Sequence, residues 1–260
     1  MKKLSVALVS GAVFLYSGLS LADGHEGAEE QSEPAMPVEL YACNYADGKE
    51  PADLDRVVAN WNKWADKEGI NDYTAWTLTP FYAGPEQDFD LLWLGISPSA
   101  TAMGRAQDMW LANGGKIQAQ FDEVIPCQAH ANFAALAFKA PPEREDTSTL
   151  VISFSDCRLA DGADFGDVGP ALTEWGKYRE GHGSTSGIWV MFPAYGAGGE
   201  EFDFKYIAAW QNLEDQGADW DQYAAAGWEK AEELFAGKMD CDASRVYIAA
   251  KRRDAAESDD

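Results

Sequence analysis

The apolar positions of this chain change period in a regular order. "VELYACNY" (Val38 to Tyr45) has strand character, rich in β-branched and aromatic residues. "ADLDRVVANWNKWADKEG" follows, with Leu54, Val57, Val58, Trp61 and Trp64 at helical spacing. Asp53 is placed to cap that helix and Gly69 to end it. "YTAWTLTPFY" and "DFDLLWLGIS" predict two strands around a turn containing "AGPEQ". "ATAMGRAQDMWLANGGKIQAQFDEV" predicts a helix weakened at Gly114-Gly115, and "HANFAALAFK" a last strand. The order is β-α-β-β-α-β. The second part of the chain repeats it with "TLVISFSDC", "DVGPALTEWGKYREG", "SGIWVMFPAY", "EFDFKYIAAW", "WDQYAAAGWEKAEELFAGK" and "SRVYIAAK".

The repetition extends to individual residues. At an offset of 114, Cys43 meets Cys157, Asp53 meets Asp167, Trp61 meets Trp175, Phe121 meets Phe235 and Cys127 meets Cys241. At 113, Trp76-x-x-x-Pro80-x-Tyr82 meets Trp189-x-x-x-Pro193-x-Tyr195. A one-residue gap restored later is the mark of a loop change inside a duplicated unit, and such repeats set the fold. The element order of each copy is that of the split βαβ, or ferredoxin-like, unit. The expected organisation is a signal peptide (1–22), an acidic leader (23–36), repeat 1 (37–139), a linker (140–148), repeat 2 (149–252) and an acidic tail (253–260).

The first segment carries Lys2 and Lys3, an apolar stretch, and Ser20-Leu21-Ala22 as a cleavage signal, which predicts export to the periplasm or the medium. Removing Lys2 and Lys3 takes the net charge from −24 to −26. A field of that sign repels nucleic acids and anionic lipid, so neither is an expected partner, nor is membrane insertion after cleavage.

Four cysteines in an exported chain favour disulfides over free thiols. The first and last strands of a ferredoxin-like sheet are antiparallel neighbours. That adjacency pairs Cys43 with Cys127 and Cys157 with Cys241. Without Cys-x-x-Cys, no redox pair or metal site is expected. The polar "ADG" after each first Cys reads as a turn, not a phosphate cradle.

Two such units in tandem resemble the dimeric α+β barrel superfamily, which includes antibiotic-biosynthesis-monooxygenase-like, NIPSNAP-like, chlorite dismutase-like and muconolactone isomerase-like proteins. The resemblance rests on element order, duplication and length. It implies an α+β fold in which the two units pack sheet to sheet as a barrel within one chain, so a monomer is expected. It carries over no catalytic residue.

Strand alternation assigns Leu40, Ala42, Ile152 and Phe154 to the helix-facing side, and Tyr41 and Ser155 to the space between sheets. The candidate ligand-binding residues of an aromatic-lined barrel interior are then Tyr41, Trp76, Tyr82, Trp189 and Tyr195, with His182 from the loop "EGHGSTSG". Aromatics repeated between copies serve equally as repeated core. His130 and His182 are the two histidines that a haem would use. Three functions stay open: a binding protein for a small apolar or aromatic molecule with no cofactor, a cofactor-independent monooxygenase-like enzyme, and a haem protein.

Overall fold

A computed structural model describes residues 35–255 except 86, 145, 197, 198 and 200. The expected signal peptide, nearly all of the leader and the end of the tail lie outside the described residues. The first half runs β1 (Met36–Cys43), α1 (Pro51–Glu68), β2 (Thr74–Tyr82), β3 (Leu91–Ile96), α2 (Ala100–Asn113), α3 (Gly115–Val124) and β4 (Cys127–Lys139). The second runs β5 (Thr149–Leu159), α4 (Phe165–Gly181), β6 (Gly187–Tyr195), β7 (Phe204–Trp210), α5 (Leu213–Gln222), a π-helical turn (Tyr223–Gly227), α6 (Trp228–Phe235), β8 (Met239–Cys241) and β9 (Arg245–Arg253).

Local chemistry explains the boundaries. Pro51 opens α1 at a position where no amide donor is needed. Asp53 accepts from the Glu50 amide at 3.0 Å, so it sits inside the first turn and not at the cap. Gly69 closes the helix at φ 75°. The long helix expected over 100–124 breaks at Gly114 into α2 and α3. The last strand reaches Arg253, further than the sequence suggested, because that guanidinium is held by Asp66, Asn62 and the Ile70 carbonyl.

Strand order is β7-β6-β4-β1-β3-β2-β9-β5, and β5 pairs back to β7. Eight antiparallel strands thus close into a barrel, with β8 as a ninth strand on β5. The seams between halves are β2 with β9 and β4 with β6. Closure leaves no edge among these eight for another chain to extend.

The barrel interior is filled. Val38, Trp76, Leu78, Leu94, Phe133, Met191 and Tyr247 belong to one buried cluster, with Trp189 packed against it. The helices of each half cover the outer face of the strands. This reverses the expected facing of the first strands. Leu40, Ala42, Ile152 and Phe154 join the interior cluster, while Tyr41 packs with the helices. Both faces of β1 and β5 are largely buried, so the more apolar alternation of each does not have to be the one that meets the helices.

Cys43 is bonded to Cys127 and Cys157 to Cys241, each across 84 residues, as strand adjacency predicts. The pairs face each other in register on β1–β4 and β5–β8. The second bridge therefore uses the short extra strand β8 and not β9. Among the described residues no helix is long and apolar enough to cross a membrane.

A candidate binding cleft between sheet and helices in the first half

Between the outer face of the first-half strands and α1–α3 lies a cleft of about 320 Å³. Trp61 and Trp64 from α1, Trp93 from β3, Trp110 from α2 and Phe121 from α3 form its apolar walls. The rings interlock edge to face, Trp61 on Trp93 at 5.1 Å and Trp64 on Trp110 at 5.2 Å. Such contacts stabilise by more than area alone and fix the wall geometry.

At the floor stands Glu39, a carboxylate only 2% exposed. A charge so placed is tolerated only when it is well hydrogen-bonded. Tyr73 Oη donates to its Oε1 at 2.6 Å, and Gln107 Nε2 to its Oε2 at 2.6 Å. His130 Nε2 lies 2.9 Å from Oε2, and Tyr41 Oη reaches the same oxygen at 3.4 Å. Trp93 Nε1 donates in turn to Tyr73 Oη at 3.2 Å.

The strands dictate this meeting. Tyr41 and His130 are direct partners on β1–β4, and their rings stack at 3.7 Å. Glu39 is paired with Gly95 on β3. A Cβ at Gly95 would stand 1.9 Å from Tyr73 Oη, so only glycine leaves room for the phenol to reach Glu39. His130 keeps a half-exposed ring, 46% by side chain, at the cleft's edge. In the neutral imidazole with Nε2–H on Glu39, the lone pair falls on Nδ1.

The positions 114 residues further on are different. Ser153, Ser155 and Ser244 stand where Glu39, Tyr41 and His130 stand in the first half, and Ser155 Oγ meets Ser244 Oγ at 2.6 Å. The second half instead buries Asp219, held by Arg179 and Trp210 at 2.6 Å each and by Ser184 at 3.0 Å. Asp219 comes from a helix and Glu39 from a strand, so the two networks are not copies.

Of the candidate residues, the structure brings only Tyr41 into this cleft. Trp76 and Trp189 pack in the barrel interior. Tyr82 and Tyr195, 60% and 77% exposed, stand at the barrel end that carries the disulfides. His182 ends α4, its Nδ1 against the Tyr178 carbonyl at 2.7 Å, away from the cleft. Glu39, Tyr73, Gln107, Trp93 and Trp110 carry no sequence motif that marks them as site residues, and Trp61 and Trp64 were expected only as a helix face. The one signal available was a carboxylate in the middle of an otherwise apolar strand, "PVELYAC".

Burial, then the Glu39 charge, pushes the phenols of Tyr41 and Tyr73 above their ordinary range. Burial raises Tyr206 and Tyr247 to about 12. A raised phenol pKa stabilises the fold fully below the unfolded value near 10. That stability is lost as pH rises toward the folded value. Each unit is worth about 1.4 kcal/mol per group. The melting temperature should therefore hold level up to pH 10 and fall steeply between pH 10 and 12. A scan that stays level to pH 12 would contradict the burial of these phenols.

The described residues form an α+β chain around a closed eight-stranded antiparallel barrel. Solved structures with this architecture include a provisionally assigned monooxygenase from Lactobacillus acidophilus NCFM, at TM-score 0.55 and 9% identity over 85% of this chain and 95% of that one. Another, from Fusobacterium nucleatum, gives 0.53 at 6% identity over 87% and 96%. A haem-binding protein from Thermus thermophilus aligns at 0.47 and 10% identity over 84% and 94%. At these identities the first two likenesses are of fold alone. No protein-family model matches the chain, and no curated protein matches it.

A haem is a poor fit to the residues present. His130 commits Nε2 to Glu39 and one ring face to Tyr41. That leaves for iron only Nδ1, the nitrogen crowded by its own Cβ and main chain. His182 ends a helix outside the cleft. Among the described residues no group of three or more His, Cys, Asp or Glu is placed to hold a metal ion.

Proposed function

We propose that this protein binds one small planar aromatic molecule bearing a hydroxyl group, and that the cleft of the first half is the site. The observation that carries this reading is the Glu39–His130 pair, running from floor to edge of a cleft walled by four tryptophans. The walls suit a flat apolar body. Glu39 fixes the imidazole so that Nδ1 accepts a hydrogen bond from the ligand's hydroxyl. The part of the barrel interior where Trp76 and Trp189 lie is occupied by its own side chains.

The test uses 2-naphthol as probe, with quenching of tryptophan fluorescence as readout. Saturable one-to-one binding is expected, weakened about tenfold in His130→Ala, the loss of one good hydrogen bond. Unsaturable quenching, or binding that ignores both His130→Ala and Trp110→Ala, would refute the site.

A second reading is favoured by the same pair. A histidine oriented by a buried carboxylate has the arrangement of a general base, with the carboxylate stabilising the imidazolium once the proton arrives. A cofactor-independent monooxygenase-like enzyme would begin by removing the phenolic proton in this way. Oxygen consumption in the presence of 2-naphthol, absent in His130→Ala, would select this reading over simple binding.

The wider reading is an exported monomer made of two ferredoxin-like units. Its support is the strand order β4-β1-β3-β2 in one half and β9-β5-β7-β6 in the other, the two disulfides, and the cleavage signal at Ala22. With the partner sheet in the same chain, no second copy is needed to cover an open face. Light scattering at moderate salt should give the mass of one chain, and a stable dimer at micromolar concentration would count against it.

A further inference from the structure

A second and larger cavity, about 760 Å³, opens at the end of the barrel that carries both disulfides. Its floor is continuous with the barrel interior. Leu40, Leu92, Phe154 and Tyr247 belong to the interior cluster or pack on it, and all four line the cavity. Phe89, from the β2–β3 connection, lies parallel to Tyr247 at 6.4 Å and completes an apolar wall.

The rim is polar, and its charges are already matched. Lys205 and Arg245 both bind Asp156, at 2.5 and 3.1 Å, and Arg245 also binds Asp242 at 2.6 Å. Two cations face two carboxylates, so the rim makes no net demand for a charged ligand. In a chain this acidic, an anion would also meet long-range repulsion.

One group is left unsatisfied. Gln87 lines the cavity, and the Tyr247 hydroxyl donates to its Oε1 at 3.3 Å. Its Nε2 is buried with no partner among the described residues. Buried amide donors are nearly always paired, so an orphan on a cavity wall asks for an acceptor from outside the chain.

We infer that the barrel mouth is a second binding site, for a neutral lipophilic molecule carrying a carbonyl acceptor, held by Gln87 Nε2 over the Phe89–Tyr247–Phe154 wall. An aromatic ketone or quinone has this chemistry. The site is separate from the first-half cleft and does not depend on the function proposed for it.

Prodan, a neutral naphthyl ketone whose emission reports polarity and hydrogen bonding, is a suitable probe for titration of the mature protein. One saturable site with blue-shifted emission is expected. Gln87→Leu keeps the size but removes the donor and should weaken binding about tenfold. Ala243→Trp, at an exposed rim position, should obstruct the mouth and abolish binding while leaving the melting temperature unchanged. Trp110→Ala, in the other cleft, should have no effect. 2-Naphthoate should bind at least tenfold more weakly than prodan. Failure to bind at solubility-limited concentration would overturn the proposal. So would binding that ignores Gln87→Leu and Ala243→Trp, or binding that is lost in Trp110→Ala.

Discussion

Glu39→Ala is expected to cost about 3–5 kcal/mol of stability, more than its size as one strand residue suggests. The carboxylate is the common acceptor of Tyr73, Gln107 and His130. Removing it leaves the buried Tyr73 hydroxyl and the part-buried Gln107 amide without their acceptor, each with its own penalty. Glu39→Gln should cost less, because its carbonyl oxygen still receives Tyr73 while its amide nitrogen opposes the donors from Gln107 and His130. Gly95→Ala attacks the same network from the opposite strand by evicting the Tyr73 hydroxyl. Urea unfolding of the three variants should rank Glu39→Ala as more damaging than Glu39→Gln. Equal and small losses would mean that the network is not formed in solution.

Loss of the Cys157–Cys241 bridge should be of similar size. It closes a loop across 84 residues, which the chain-entropy account values at about 4.5 kcal/mol, with measured losses of about 2–5 kcal/mol. Cys157→Ser with Cys241→Ser should lower the urea midpoint accordingly, and the same change at Cys43 and Cys127 should do so by a like amount. The bridges lie in different halves with no shared partner, so the two losses should add. A loss under about 1 kcal/mol would show that the reduced denatured chain is already compact enough to make the crosslink redundant.

Much of the architecture was legible because the signals are local and repeated. The spacing of Leu54, Val57, Val58 and Trp61 announces a helix whose buried face they become. The four cysteines paired as strand adjacency required. The site was far less legible. Glu39, Tyr73, Gln107 and His130 are spread over 91 residues of chain between first and last. What joins them is register: Tyr41 opposite His130, and Glu39 opposite Gly95. No periodicity encodes register, and a slip of one residue exchanges the two faces of a strand. The same blindness reversed the facing of Leu40 and Tyr41. Either residue is at home in a core, and Tyr41 shares with Glu39 the face that meets the helices and their hydrogen-bond donors.

The pairing registers place Met36, the crossing from Lys139 to Thr149, and Arg253 at one end of the barrel, and Cys43, Cys157, Tyr82 and Tyr195 at the other. The connection between the halves and both ends of the barrel-forming chain thus lie at one pole. The two halves could be transcribed in the reverse order, joined through Arg253 and Met36 and opened at the crossing, with every strand pairing kept.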